Sequence, residues 1–184
     1  MMGNSYAREL LIFLFLIILY YAEAGGKAGP YECFRVINTG PCKGFESDLI
    51  SFPLKMVKDE KTDFIESDEI EVPFDLDTKV SVNITVETWD SKGWNPPTNH
   101  PFADFCKTVK SKFPEAYKDI STAIGRSATC PWVKGTYTVK KLGTCLRSSK
   151  FPIMYYGKYR VHMILIRDKK RVGCFFMEAI IDPK

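Results

Sequence analysis

Residues 79–89 read KVSVNITVETW. Val80, Val82, Ile84 and Val86 alternate with Ser81, Asn83, Thr85 and Glu87, with Lys79 leading on the polar side. Side chains of a strand point alternately to its two faces, so four aliphatic groups share one side and the polar groups share the other. This is the pattern of an antiparallel strand with one buried face. Something has to cover that face, either the protein's own core or a ligand, and a dry core is the default.

Further short strand candidates, bounded by turn residues, lie on both sides of this one. Before it come YECFRVI, which runs into a turn at Asn38-Thr39-Gly40-Pro41, then LISFPLK and DEIEVPF. After it come GTYTVKKL, KYRVHMILI and VGCFFMEAII. In KYRVHMILI, Tyr159, Val161, Met163 and Leu165 share a face while Arg160 and His162 face away; Asp168-Lys169-Lys170 reads as a hairpin turn into the last strand. One segment has a different period. Phe102, Phe105, Cys106, Val109, Phe113, Tyr117, Ile120 and Ile124 recur at intervals of three and four, the spacing of a helix. Pro114 either kinks that helix or starts a second one. The expected fold is mainly β, an antiparallel β-sandwich or β-cup with a helical insertion.

The N-terminus bears on compartment. Arg8 precedes an apolar and aromatic run from Leu10 to Tyr21, followed by Ala22-Glu23-Ala24. That is the order of a secretory signal peptide. As a helix the run rises only about 18 Å, too short for a membrane core of about 30 Å. The expectation is a signal peptide at 1–24 and a single domain at 25–184, secreted to the extracellular space, with the lysosomal lumen as the alternative. Removing Arg8, Glu9 and Glu23 from the 26 basic and 22 acidic residues leaves an excess of five positive charges. They are scattered except for Lys169-Lys170-Arg171, a solvated hairpin tip, so no nucleic-acid partner is expected.

Six cysteines, Cys33, Cys42, Cys106, Cys130, Cys145 and Cys174, fall in the expected mature part. In an oxidising compartment an even count reads as three disulfides, with fifteen connectivities open. The competing reading, zinc, fits poorly: there is no Cys-x-x-Cys pair, and His100 and His162 are far in sequence from any paired cysteines. No metal and no cofactor are expected.

Catalytic signatures are missing as well. There is no Gly-x-Ser-x-Gly elbow and no His-Glu-x-x-His helix. His100 and His162 read as surface residues, and no catalytic residue is nominated, so no enzyme is expected. Asn83-Ile84-Thr85 is a sequon on the polar face of its strand, making Asn83 a candidate N-glycosylation site.

Four motifs in the C-terminal half carry a resemblance: FC at 105–106, CPWVKGTYT at 130–138, GKYRV at 157–161 and KRVGC at 170–174. In order and spacing they resemble the ganglioside GM2 activator family of the ML-type lipid-recognition proteins, and also that superfamily's insect chemosensory members of the CheB kind. The resemblance covers residues 89–180 well and the first third loosely. It implies a β-cup whose apolar interior holds a lipid, with no catalysis of its own. It also implies the pairs Cys106–Cys130 and Cys42–Cys174. Cys33 and Cys145, which the family's pattern lacks, would form the third pair, with an exchange of Cys33 for Cys42 left open.

With that resemblance, the expected lipid-facing side chains are Val80, Val82, Ile84 and Val86 on one strand and Tyr159, Val161, Met163 and Leu165 on another. Phe105, Val109 and Phe113 on the helical segment join them, with Trp132. The apolar stretch FPIMYY at 151–156 offers Ile153, Met154 and Tyr155 as a rim. Trp89, Trp94 and Trp132 are likewise near strand ends. The expected partners are a lipid or glycolipid and, transiently, a membrane, with a glycosidase or receptor left open as a protein partner. The rival reading is a closed β-sandwich that binds another secreted protein and holds no lipid.

Overall fold

The computed structural model describes residues 27–44, 48–60 and 62–184. The expected signal peptide, 1–24, lies outside the described residues. Among the described residues the fold is mainly β and antiparallel, with a small helical insertion and no closed barrel.

The main sheet is built around residues 79–89. That stretch forms β6 (Val80–Asp90), paired along its length with β13 (Gly157–Arg167), which pairs in turn with β14 (Lys170–Ile181). β14 continues to β2 (Phe34–Pro41), and β2 to the short β11 (Cys145–Leu146). The far edge of β6 is shared by β7 (Gly93–Trp94) and β8 (Thr98–Phe102). Asp168 and Lys169 both have positive φ, 51° and 62°, as a two-residue hairpin turn requires, so the expected β13–β14 turn is present.

Smaller sheets complete the domain. β3 (Leu54–Val57), β4 (Phe64–Ser67) and β10 (Leu142–Gly143) form one; β5 (Ile70–Val72) pairs with β9 (Gly135–Tyr137). β1 (Ala28–Gly29) pairs with β12 (Met154–Tyr155). The core lies between the main sheet and these elements, around Val36, Ile50, Ile65, Leu76, Val82, Leu165 and Val172.

The helical segment resolves into α1 (Phe105–Lys112) and α2 (Pro114–Ala123). Asp104 caps α1, its Oδ1 accepting from the Lys107 amide at 2.9 Å. Pro114 occupies the first turn of α2, where its missing N–H costs nothing. Phe102, expected on the helix, belongs instead to β8, because the cap fixes the helix start beyond it.

Two other expectations need correcting. Asn38-Thr39-Gly40-Pro41 is the second half of β2 and not a turn: a bulge at Glu178/Ala179 absorbs the irregularity, and Pro41 sits at the strand's last position. GTYTVKKL yields two short strands, β9 and β10, in different sheets.

Three disulfides brace the domain: Cys33–Cys145 joins the approach to β2 with β11, Cys42–Cys174 the end of β2 with β14, and Cys106–Cys130 α1 with the segment beyond α2. Cys42–Cys174 and Cys106–Cys130 are the pairs that the resemblance implied, and Cys33–Cys145 is the remaining pair, with no exchange of Cys33 for Cys42. Such bridges belong to an oxidising compartment. Among the described residues no helix is long and apolar enough to cross a membrane.

Candidate functional site

Strand register sorts the inner face of the main sheet into rows. Across β14, β13 and β6 the successive rows are Gly173–Leu165–Val82, Phe175–Met163–Ile84, Met177–Val161–Val86 and Ala179–Tyr159–Thr88. Directly opposed residues share a face, so each row is a line of neighbours.

The rows differ in cover. In the first, Leu165 and Val82 keep 2 % and 1 % of their surface. Gly173 makes this tightness possible: a Cβ there would meet the Phe52 ring at 2.9 Å and Ile50 at 3.1 Å. Val80 and Leu76 are buried at the same end. In the third row Met177, Val161 and Val86 are all half-buried, as are Met163 and Phe175 in the second, where only Ile84 is buried. In the fourth, Tyr159 and Ala179 are buried again while Thr88 is exposed. The sheet therefore presents an incompletely covered apolar window, flanked on β13 and β14 by closed rows. Consecutive rows are about 7 Å apart and neighbouring strands about 5 Å, so the window is on the order of 7 Å by 10 Å. Phe34, Leu54, Met56 and Phe113 are further half-buried hydrophobic residues against the core.

Beyond the fourth row is an apolar end. Trp89 is 50 % exposed, Ile153 62 % and Tyr155 45 %. Trp89 pairs with Trp94 across the β6–β7 hairpin, rings edge-on at 5.2 Å. The loop carrying Ile153 leads into β13, and the Tyr159 hydroxyl donates to the Tyr155 carbonyl at 2.7 Å, tying the loop to the sheet. Met154 is half-buried, opposite Gly29 of β1.

The outer face at this end carries a charge cluster. Glu178 Oε1 accepts from Arg160 Nε at 3.0 Å and Nη2 at 2.7 Å, and Glu178 Oε2 lies 3.0 Å from Lys158 Nζ. Arg160 stacks over Trp94 at 4.1 Å. Burial alone would raise the Glu178 carboxyl; hydrogen bonds from Arg160 and Lys158, and their charges, outweigh it and hold the group below the usual carboxylate range. Burial pushes the neighbouring His162 down, opposed by Glu87 and reinforced by Arg160. The charges of the cluster are held in its own ion pairs, and His162 lies opposite Thr85 of β6, whose hydroxyl donates to Asn99 Oδ1.

The nominated lipid-facing residues thus divide. Val86, Val161 and Met163 are in the window; Phe113 is half-buried; Ile153 and Tyr155 stand at the open end. Val80, Val82, Leu165, Phe105 and Val109 are in protein-covered core, with Ile84 and Tyr159 at its border. Trp132 belongs to neither group. It stacks with Tyr117 at 5.7 Å and Tyr137 at 6.1 Å, and meets Phe105 edge-on at 5.9 Å. That aromatic stack fixes the helices on the domain. Sequence reading missed Met177 and Phe175, because VGCFFMEAII is apolar on both sides, with Cys174, Phe176 and Ile180 opposite them, and lacks the alternation of β6.

Fold and site together define a disulfide-braced, antiparallel β protein with an insertion of two helices and a partly uncovered apolar sheet face. No protein-family model and no curated protein matches the chain.

Proposed function

We propose that this protein is a secreted, non-enzymatic lipid-binding protein that shields an acyl chain, of a glycolipid or other lipid, against the inner face of its main sheet. The observation that carries the reading is the pair of rows Phe175–Met163–Ile84 and Met177–Val161–Val86, half-buried except at Ile84 and lying between two outer rows that are closed on β13 and β14. The resemblance of the C-terminal motifs to ganglioside activators supports it independently, as do three disulfides, which suit an oxidising compartment.

The energetics set the ligand's size. Each buried methylene contributes about 0.8 kcal/mol. Association costs about 4–15 kcal/mol in lost freedom and ordering. A chain of about ten methylenes therefore gains roughly 8 kcal/mol and only offsets the cost, so longer chains are favoured. The exposed Ile153 and Tyr155 give the protein an apolar loop for brief membrane contact, and polar groups there would select the headgroup. A glycosidase or receptor could then take up the presented lipid.

The test is uptake of a fluorescent long-chain acyl probe by delipidated protein. Saturable binding near one probe per chain, weakened by filling the window with Val161→Trp, supports the reading. Absence of saturable uptake would favour the closed interaction module.

A further inference from the structure

Asn83 lies midway along β6 on the face away from the core, opposite Ile164 of β13 and Pro101 of β8. With Lys79, Pro101, Phe102, Ile166 and Lys169 it borders a groove of about 520 Å³ between β8 and the β13–β14 turn. Its Oδ1 is buried and accepts no hydrogen bond. Its Nδ2, the atom to which an N-linked sugar attaches, donates no hydrogen bond and is not enclosed. Two residues on, the Thr85 hydroxyl donates to Asn99 Oδ1 at 2.9 Å, and Thr85 keeps 9 % of its surface.

We propose that Asn83 carries an N-linked glycan, attached before β6 pairs, whose first sugar lies in this groove and covers the open edge of β8. The proposal rests on the secretion reading above. In the transfer, Nδ2 bonds to C1 of the sugar. The C1–O bond to a lipid-linked pyrophosphate donor breaks, the pyrophosphate leaves with the electron pair, and the amide gives up one proton.

Timing follows from the ladder. Once folded, Asn83 is held between two strands and Thr85 is engaged, so the sequon cannot leave the sheet without breaking pairing on both sides. The groove suits a sugar. Pro101 and Ile166, on the same face as Asn83, offer an apolar floor to the C–H face of a pyranose, while Lys79, Lys169 and Asp168 stand at its edge for hydroxyl groups. A sugar also brings donors to a place where Oδ1 has none. Among the described residues β8 pairs only with β6, so its other edge is an open row of backbone groups. Shortness and Pro101 already blunt that edge, and a glycan directly opposite Pro101 extends the protection.

The experiment uses the full chain secreted from eukaryotic cells, with Asn83→Gln and Thr85→Ser beside it. Peptide mass spectrometry is expected to find a glycan at Asn83 in the parent and in Thr85→Ser, and none in Asn83→Gln. Enzymatic release of the glycan from native protein should be about tenfold slower than from unfolded protein, the factor given by a contact of about 1.4 kcal/mol. Ile166→Asp, or Pro101→Asp if that variant does not fold, should restore fast release. Bare protein refolded from bacteria should remain unmodified when offered transferase and donor. Secreted protein with an unmodified Asn83, native release as fast as unfolded, or modification of the refolded protein would each overturn the proposal. Of these, the first leaves the secretion reading intact, whereas a bare chain retained in the cell overturns both.

Discussion

Leu165 and Val161 point to the same side of β13, yet the account assigns them opposite responses to an added ring. Leu165 keeps 2 % of its surface, beside Val82 and against Gly173, over which Ile50 and Phe52 are already in contact. A tryptophan there has no space, and overpacking costs typically about 1–3 kcal/mol or more. Val161 is half-buried in the window, so in the lipid-free protein the ring of Val161→Trp extends into uncovered space and the change should stay within about 0.5 kcal/mol, as at uncrowded positions. Urea unfolding of both delipidated variants reads the difference. With a slope of about 2 kcal/mol/M, a loss of about 2 kcal/mol lowers the midpoint by roughly 1 M for Leu165→Trp, while Val161→Trp should scarcely move. Only Val161→Trp should fold normally and yet take up less acyl probe. Equal destabilisation at the two positions would mean that the third row is as tightly covered as the first, and the window would not exist.

Other consequences are as direct. Ile153→Asp and Tyr155→Asp, at exposed positions, should leave stability within about 0.5 kcal/mol and slow lipid transfer from vesicles, since a charge opposes contact with the membrane interior; transfer at the parent rate would remove these residues from the membrane face. Replacing Cys106 and Cys130 together by serine releases a loop whose ends are 24 residues apart and should cost about 3.5 kcal/mol in unfolding experiments. The folded Glu178 carboxyl titrates below its unfolded value of about 4.3, so its contribution is complete above that pH and is lost as pH falls through the folded value. Glu178→Gln should therefore flatten stability against pH at the acidic end below about 4; an unchanged acid limb would assign that loss to other carboxylates.

Much of this architecture is legible in the chain. The alternation in β6 and in the first part of β13 fixes which side of those strands is apolar, and Asp168-Lys169 marks the turn from β13 into β14, a strand apolar on both sides and so without a legible inner face. The helical spacing from Phe105 to Ile124 identifies the insertion, and Pro114 its division. β8 is not legible, because TNHPF has no apolar alternation; it is a strand only because the free edge of β6 offers it a ladder. The second half of β2 is hidden for a related reason, since a bulge in the pairing lets turn-like residues continue a strand. The window itself is the least legible part. Val82 and Val86 are equivalent in pattern, and what separates them is which distant segments cover the sheet: Ile50 and Phe52 close the Leu165 row, while the Val161 row packs against the core and is only partly covered. Trp132 shows the converse, a residue near a strand end that reads as rim but is drawn inward by Tyr117, Tyr137 and Phe105.

The most direct test of the central claim is native mass spectrometry of the protein purified without detergent from a secretory host, followed by solvent extraction of the same sample. The account predicts a noncovalent adduct of about one long-chain lipid per polypeptide, recovered in the organic phase and depleted in Val161→Trp. A spectrum holding only the polypeptide and its covalent modifications, with no lipid in the extract and none acquired from vesicles, would contradict it.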